Sequence, residues 1–293
     1  MLCRIVKHSG IPIMSTRSNP QLRASLLFFA WIFLFFVAAA HGQAAPDSPA
    51  HVQLTWDGNP IRPGQTLWVG ALFRLDPGWH IYWQNPGDSG EPPKIQWKLP
   101  ADFHGGSILW PPPILLGTGS VRDYGYEGQV LLMTPLQTPP NLPATAPIGL
   151  AATVKYVVCR EICIPGKTDV ALSIPVQGQT NVQLSAQRDL FQSTRARLPN
   201  PLPSGWKVSA NAEGDFFVLS IEGAAPAHEL VFFPLDAGVI ENAALQALSS
   251  ENNVLLLTLK KSEQLAKPVS TLRGVIVLDQ DRAYKIAVPV KSP

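Results

Sequence analysis

The chain has 293 residues, 46% of them hydrophobic, and carries 23 Lys and Arg against 21 Asp and Glu for a formal charge of +2. That length accommodates two ordinary domains, and without a basic stripe the chain is not expected to bind nucleic acid. Cysteine is scarce, three residues in all, so any two that stand close together need an explanation.

The N-terminus reads as an address. Residues 26–40, "LLFFAWIFLFFVAAA", are continuously apolar, Arg4, Lys7, Arg17 and Arg23 precede them, and no acidic residue occurs before Asp47. A basic start, a short apolar stretch and small residues after it (Ala38, Ala40, Gly42, Ala44) form the pattern of a secretory signal peptide. The run falls short of the ~20 residues that span a bilayer comfortably, and an uncleaved N-terminal anchor is the alternative. Met14 also begins a signal of ordinary length. Cleavage near Ala44 takes Cys3 with it, and the loss of four basic residues from 23 leaves 19 against 21 acids, a charge of −2. The rest is expected outside the cytoplasm with two cysteines, an even count suited to an oxidising compartment.

Strands follow. "HVQLTW" alternates Val52, Leu54 and Trp56 with polar residues, "LWVGALFRL" does so through Leu67, Val69, Ala71, Phe73 and Leu75, and "DVALSIPV" through Val170, Leu172, Ile174 and Val176. A period of two marks a half-buried strand. "NPGDSGEPP" at 85–93 and "WPPP" at 110–113 punctuate these runs, because proline fits neither a helix interior nor a central strand. Short strands with such turns predict a β-sandwich. Gly87, Gly90 and Gly125 are assigned to turn geometry.

From Thr180 to Leu198 the period changes. Leu190, Thr194 and Leu198 fall on one helical face, Thr180 and Gln183 fit a capping box, and "PNPLP" at 199–203 ends the run. "DFFVLSI", "ELVFFPL", "NVLLLTL", "RGVIVL" and "YKIAVPV" then give a second strand set with no cysteine and one tryptophan, Trp206, whereas the first set holds Trp56, Trp68, Trp79, Trp83, Trp97 and Trp110. The expected organisation is all-β: a signal peptide at 1–44, a first sandwich with the cysteine pair at 45–178, a helical linker at 179–203 and a second sandwich at 204–293.

Chemistry is expected in the first sandwich, at "YVVCREICIPGK", where Cys159 and Cys163 stand with three residues between them. Three uses compete. As a staple the pair closes a loop of five residues, worth roughly 2 kcal/mol at most, and a bond across a tight turn is prone to be exposed and reducible. As a metal site, two thiolates suit copper(I), while a structural zinc wants four ligands. His80, His104 and Met133 are the residues the fold would have to bring in. As a redox dithiol the pair has Arg160 beside it and Lys155 and Lys167 flanking it, opposed by Glu161 and Asp169; each charge taken singly also fits a solvated strand edge.

"PGWHIYWQNPGDSGEPPKIQW", "WPPP", "YGYEG" and "VVCREICIPGK", in that order, resemble the periplasmic N-terminal domain of the DsbD family of thiol:disulfide interchange proteins, nearest its ScsB-like copper-tolerance branch. The resemblance is strong over residues 50–178. It implies an immunoglobulin-like domain whose redox disulfide, Cys159–Cys163 here, takes electrons from a transmembrane domain. These pass to periplasmic thioredoxin-fold proteins such as disulfide isomerases and those of cytochrome c assembly, the activity of a protein-disulfide reductase without a cofactor. The more C-terminal cysteine bonds to the partner in that family, which points to Cys163. The best-known members space the pair more widely. No multi-helix membrane domain or C-terminal thioredoxin-like domain follows before Pro293, so the donor is expected in trans. An aromatic cap also belongs to the family, and Tyr124 and Tyr126 are the expected cap residues, with Arg160 and Glu161 as neighbours. Trp79 and Trp83 are read as core, and Tyr82 in the same aromatic stretch fits either a shield or core. The alternative reading is a non-catalytic binding module for copper tolerance or envelope and cytochrome c assembly, with a structural disulfide or a copper(I) site.

Overall fold

Among the described residues ten strands, the longer ones built on alternating apolar residues, precede a helix: β1 (Ala50–Trp56), β2 (Thr66–Leu75), β3 (His80–Gly87), β4 (Lys94–Lys98), β5 (His104–Gly105), β6 (Ile114–Leu116), β7 (Asp123–Glu127), β8 (Gln129–Gln137), β9 (Ile148–Cys159) and β10 (Cys163–Ile174). They come from a computed structural model that describes residues 48–142, 146–175 and 185–291. The signal segment and the capping-box residues Thr180 and Gln183 lie outside that set. One sheet runs β1-β2-β8-β5; the other runs β10-β9-β3-β7-β6, with β4 also paired to β9. Ala71, Phe73, Val130 and Leu132 of the first sheet meet Ile81, Trp83, Val154 and Tyr156 of the second in one core. Phe73 and Tyr156 close edge to face across it, 5.6 Å between ring centres.

A helix, α1 (Ser185–Arg197), follows. It lies against the outer face of the four-stranded sheet rather than hanging free. Phe191 is buried there with Leu72, Leu131 and Met133, contributing about 2 kcal/mol. Arg195 stacks its guanidinium 4.6 Å over Trp68 and sits 3.6 Å from buried Asp57. The buried face centres on Phe191 and Thr194, while Leu190 and Leu198 are half-buried. The face read from Leu190, Thr194 and Leu198 was thus one position off its true centre, because Phe191 carries most of the apolar area.

Seven further strands follow: β11 (Lys207–Glu213), β12 (Phe216–Glu222), β13 (Leu230–Pro234), β14 (Ala247–Glu251), β15 (Val254–Lys260), β16 (Thr271–Leu278) and β17 (Arg282–Lys291). They form one sheet, β13-β16-β17-β11-β12-β15-β14, whose halves meet at a short parallel joint between β11 and β17. Both halves feed one core through Phe217, Leu219, Leu257, Phe232, Ile276 and Ile286.

The half made of β13, β16 and β17 is covered on both faces. Phe232 and Ile276 enter the second core, whereas their neighbours Phe233, Val275 and Val277, with Ala283, belong to the core of the first strand set. Phe233 meets Tyr124 edge to face at 5.3 Å and Trp83 at 6.3 Å. Burial on both faces explains why "ELVFFPL" and "RGVIVL" read as unbroken apolar runs. The described residues from Ser48 onward pack as one unit.

Truncating Phe233 should therefore disturb the cysteine-bearing strands as well as its own sheet. Phe233→Ala is expected to cost about 3 kcal/mol in urea unfolding, with tryptophan fluorescence and far-UV dichroism shifting together. Two separated transitions would show that the strand sets fold independently.

Candidate functional site

The site is built on a hairpin. β9 and β10 are each 12 residues long and pair from Ile148↔Ile174 to Cys159↔Cys163. Arg160, Glu161 and Ile162 make the turn, closed by Arg160 N–H donating to the Ile162 carbonyl at 3.1 Å. The ladder sets the two cysteines directly opposite, with Cα atoms 4.1 Å apart, and they are joined as a disulfide.

The two sulfur-bearing residues differ in access. Cys159 is 2% exposed, while Cys163 is exposed beside Ile162, itself 66% exposed at the tip of the turn. Tyr82 of β3 lies beneath them on the outer face of the six-stranded sheet. Its hydroxyl donates to Cys159 Sγ at 2.9 Å and lies 3.7 Å from Cys163 Sγ. Burial raises the Tyr82 pKa above its ordinary value of 10, so the phenol keeps its proton and remains a donor near neutral pH.

The segment after β3 backs Tyr82. Gly90, at φ +73°, runs so close that a Cβ there would lie 2.1 Å from the tyrosine Cζ; only glycine fits this approach. Ser89 Oγ lies 3.5 Å from the Tyr82 hydroxyl. The Ser89 N–H and hydroxyl both donate to buried Asp123, at 2.8 and 2.7 Å. Gly87 also serves a left-handed turn, but Gly125 lies inside β7, where a Cβ would meet the Ile81 carbonyl at 2.1 Å. Close strand approach, rather than a turn, requires glycine there.

His80 is the cross-strand neighbour of Cys159. Its ring stands edge to face with Tyr82 at 5.3 Å, and its buried Nε2 has no hydrogen-bond partner. Burial pushes its pKa below the ordinary 6.5, with Asp123 and Glu127 opposing. Arg160 leans back over Trp79, 5.1 Å from the ring centre, and Glu161 is solvent-facing 3.8 Å from it. Lys155 and Lys167 pair with each other, roughly 14 Å along the strands from the cysteines.

Tyr124 and Tyr126 are not brought to the sulfurs. Both lie in β7 with their side chains in the core, Tyr124 donating to Asn242 Oδ1 at 2.6 Å and Tyr126 to the Pro111 carbonyl at 2.7 Å. The expectation of a Gly-rich turn misplaced them: strand alternation turns both inward and leaves Gly125 on the disulfide side. Tyr82, two positions from His80, is the tyrosine that touches the pair. Ser89, within a segment read only as a turn, carried no signal in the sequence. Of the metal-ligand residues considered, His104 lies on β5 in the opposite sheet and Met133 is packed under α1. Among the described residues no three His, Cys, Asp or Glu side chains are grouped to hold a metal ion.

With this geometry in view, residues 46–175 match the family model described as thiol:disulfide interchange protein DsbD, N-terminal. The crystal structure of the N-terminal periplasmic domain of ScsB from Proteus mirabilis is similar in fold, with a TM-score of 0.62 and 18% identity over 84% of this chain and 96% of that one. A protein of unknown function from Porphyromonas gingivalis W83 aligns over 84% of this chain and 99% of its own at 13% identity, with a TM-score of 0.21. No curated protein matches the chain.

The depressed His80 pKa has a signed consequence. The unfolded chain takes up a proton near pH 6.5 while the folded imidazole resists, so this contribution is fully present above pH 6.5 and is lost as pH falls through the folded pKa. Tm should drop between pH 7 and pH 5, and His80→Gln should flatten that part of the profile. An unchanged slope in the variant would assign the acid sensitivity to other groups.

Proposed function

We propose that this chain, whose residues 46–175 match the DsbD N-terminal family model, is a periplasmic thiol–disulfide exchange module of protein-disulfide reductase type. In this reading an immunoglobulin-like sandwich carries Cys159 and Cys163, takes electrons from a membrane donor and hands them to periplasmic thioredoxin-fold proteins. The observation that carries it is the asymmetry of the pair: one sulfur within reach, the other buried under a tyrosine hydroxyl.

That asymmetry supports one order of events. A donor thiolate attacks the Cys163 sulfur, the Cys159–Cys163 bond breaks, and Cys159 leaves as a thiolate that accepts the Tyr82 hydroxyl proton in a hydrogen bond. The donor's second thiolate then attacks its own sulfur in the mixed disulfide and releases Cys163. Two electrons have entered the pair, and the donor is left as a disulfide. Toward an acceptor the steps reverse in kind. Cys163 thiolate opens the acceptor disulfide, Cys159 thiolate attacks Cys163, and the acceptor departs with both sulfurs reduced. No third redox group is required.

Reduction should proceed in a dithiothreitol buffer while the protein stays folded, since the short loop stabilises it by only about 2 kcal/mol. A pair that is reduced only when urea unfolds the chain would move it to the role of a staple. In single-cysteine variants, Cys159→Ser, which keeps the exposed Cys163, should react with an aromatic disulfide reagent and trap a thioredoxin-fold domain, whereas Cys163→Ser should do so far more slowly; equal rates would reject the assigned order. Tyr82→Phe should slow reduction by dithiothreitol about tenfold, the effect of losing one hydrogen bond to a developing charge.

A further inference from the structure

Tyr82 does not hold its own position on the sulfurs. The segment Asn85–Gly90 presses on it through Gly90 and Ser89, and that segment is tied at two points to the second strand set. Asn85 Nδ2 donates to the Pro234 carbonyl at the end of β13, at 2.8 Å. Asn242 Nδ2 donates to Asp88 Oδ1 at 2.7 Å, and Asn242 Oδ1 accepts the Tyr124 hydroxyl at 2.6 Å. The amide is used at both ends, and its chemistry matters: a carboxylate at 242 could accept from Tyr124 but could not donate to Asp88. The other oxygen of Asp88 accepts the Arg122 N–H at 2.7 Å, and the Asp88 N–H donates to the Arg122 carbonyl. Without Asn242 the segment would therefore stay attached to the turn before β7 and, through Asn85, to Pro234, losing one of its two ties to the second strand set.

We propose that Asn242 is a positioning residue for the disulfide: through Asp88 it fixes the segment that seats the Tyr82 hydroxyl on Cys159, so the second strand set controls the reactivity of a site it does not contain. This rests on the reading that the pair exchanges with thiols. The step it acts on is reduction by a dithiol: two thiols become one disulfide, the Cys159–Cys163 bond takes up two electrons, and Cys159 is the first leaving sulfur. Loosening the tie lets Tyr82 drift from that sulfur and slows the departure.

The test compares second-order rates of disulfide reduction by dithiothreitol in the full chain, with Tm as the measure of folding. Asn242→Ala is expected to slow reduction about three- to tenfold, the range of one lost hydrogen bond. Asn242→Asp, isosteric and suited to keeping the fold should the alanine variant fail, places a second carboxylate against Asp88 and should slow it at least as much. The double variant Tyr82→Phe/Asn242→Ala should react within about twofold of Tyr82→Phe alone, because coupled residues are not additive. Asp279→Ala removes two backbone caps at His228 and Glu229, at the far end of β13 and β16, and should lower Tm without altering the rate. Wild-type rates in both Asn242 variants beside a slow Tyr82→Phe, or additive effects in the double variant, would overturn the proposal and leave the exchange reading intact. A wild-type disulfide that resists dithiothreitol until unfolded would instead overturn the exchange reading itself.

Discussion

The arm formed by β13, β16 and β17 is apolar on both of its faces, and each face must be buried against something different. Successive residues on β13 point to opposite sides, so Phe232 goes to one core and Phe233 to the other. A one-residue slip would exchange the two faces and ruin both cores at once. This shared arm joins strand sets that would otherwise be separate. It also brings the ends of β13 and the following loop to the segment behind Tyr82, through Pro234 and Asn242.

The disulfide site draws on ordinary packing rules in an unusual combination. A buried sulfur beside a buried phenol is well matched, because the phenol needs a partner once removed from water, and the sulfur supplies one that is weak in the disulfide and strong as a thiolate. The donor is therefore held in place before the charge it stabilises has formed. Asp123 supports it indirectly by holding both donors of Ser89, and His80, kept neutral by its burial, adds bulk beside Cys159 without adding charge.

Much of this was legible in the residues. Alternation in "LWVGALFRL" and "DVALSIPV" located β2 and β10, the cysteine spacing pointed to a tight turn between Cys159 and Cys163, and the shift to helical spacing located α1. β3 to β9 were not assigned from the sequence, and in the second strand set β11 and β14 were not read because "KVSANAE" and "ALSSE" are mostly polar or small, and they become strands only by pairing with β12 and β15. Tyr82 was named but not chosen over Tyr124 and Tyr126, since the choice depends on which face of the sheet each occupies. That face follows from register with β9, a long-range property that local pattern does not carry. Asn242 had no local signal at all; its partners Asp88 and Tyr124 are more than a hundred residues away.

The long ladder of β9 and β10 has a further effect once the sulfur–sulfur bond is open. The cysteines are placed by backbone hydrogen bonds running the length of both strands, not by the bond between their side chains. Two free thiols therefore remain side by side, and closing the ring again is an intramolecular event with very high effective molarity. Little reorganisation is then needed between the oxidised and the reduced protein, so in the proposed exchange the hairpin would act as a rigid jig in which electrons enter and leave while the scaffold stands still.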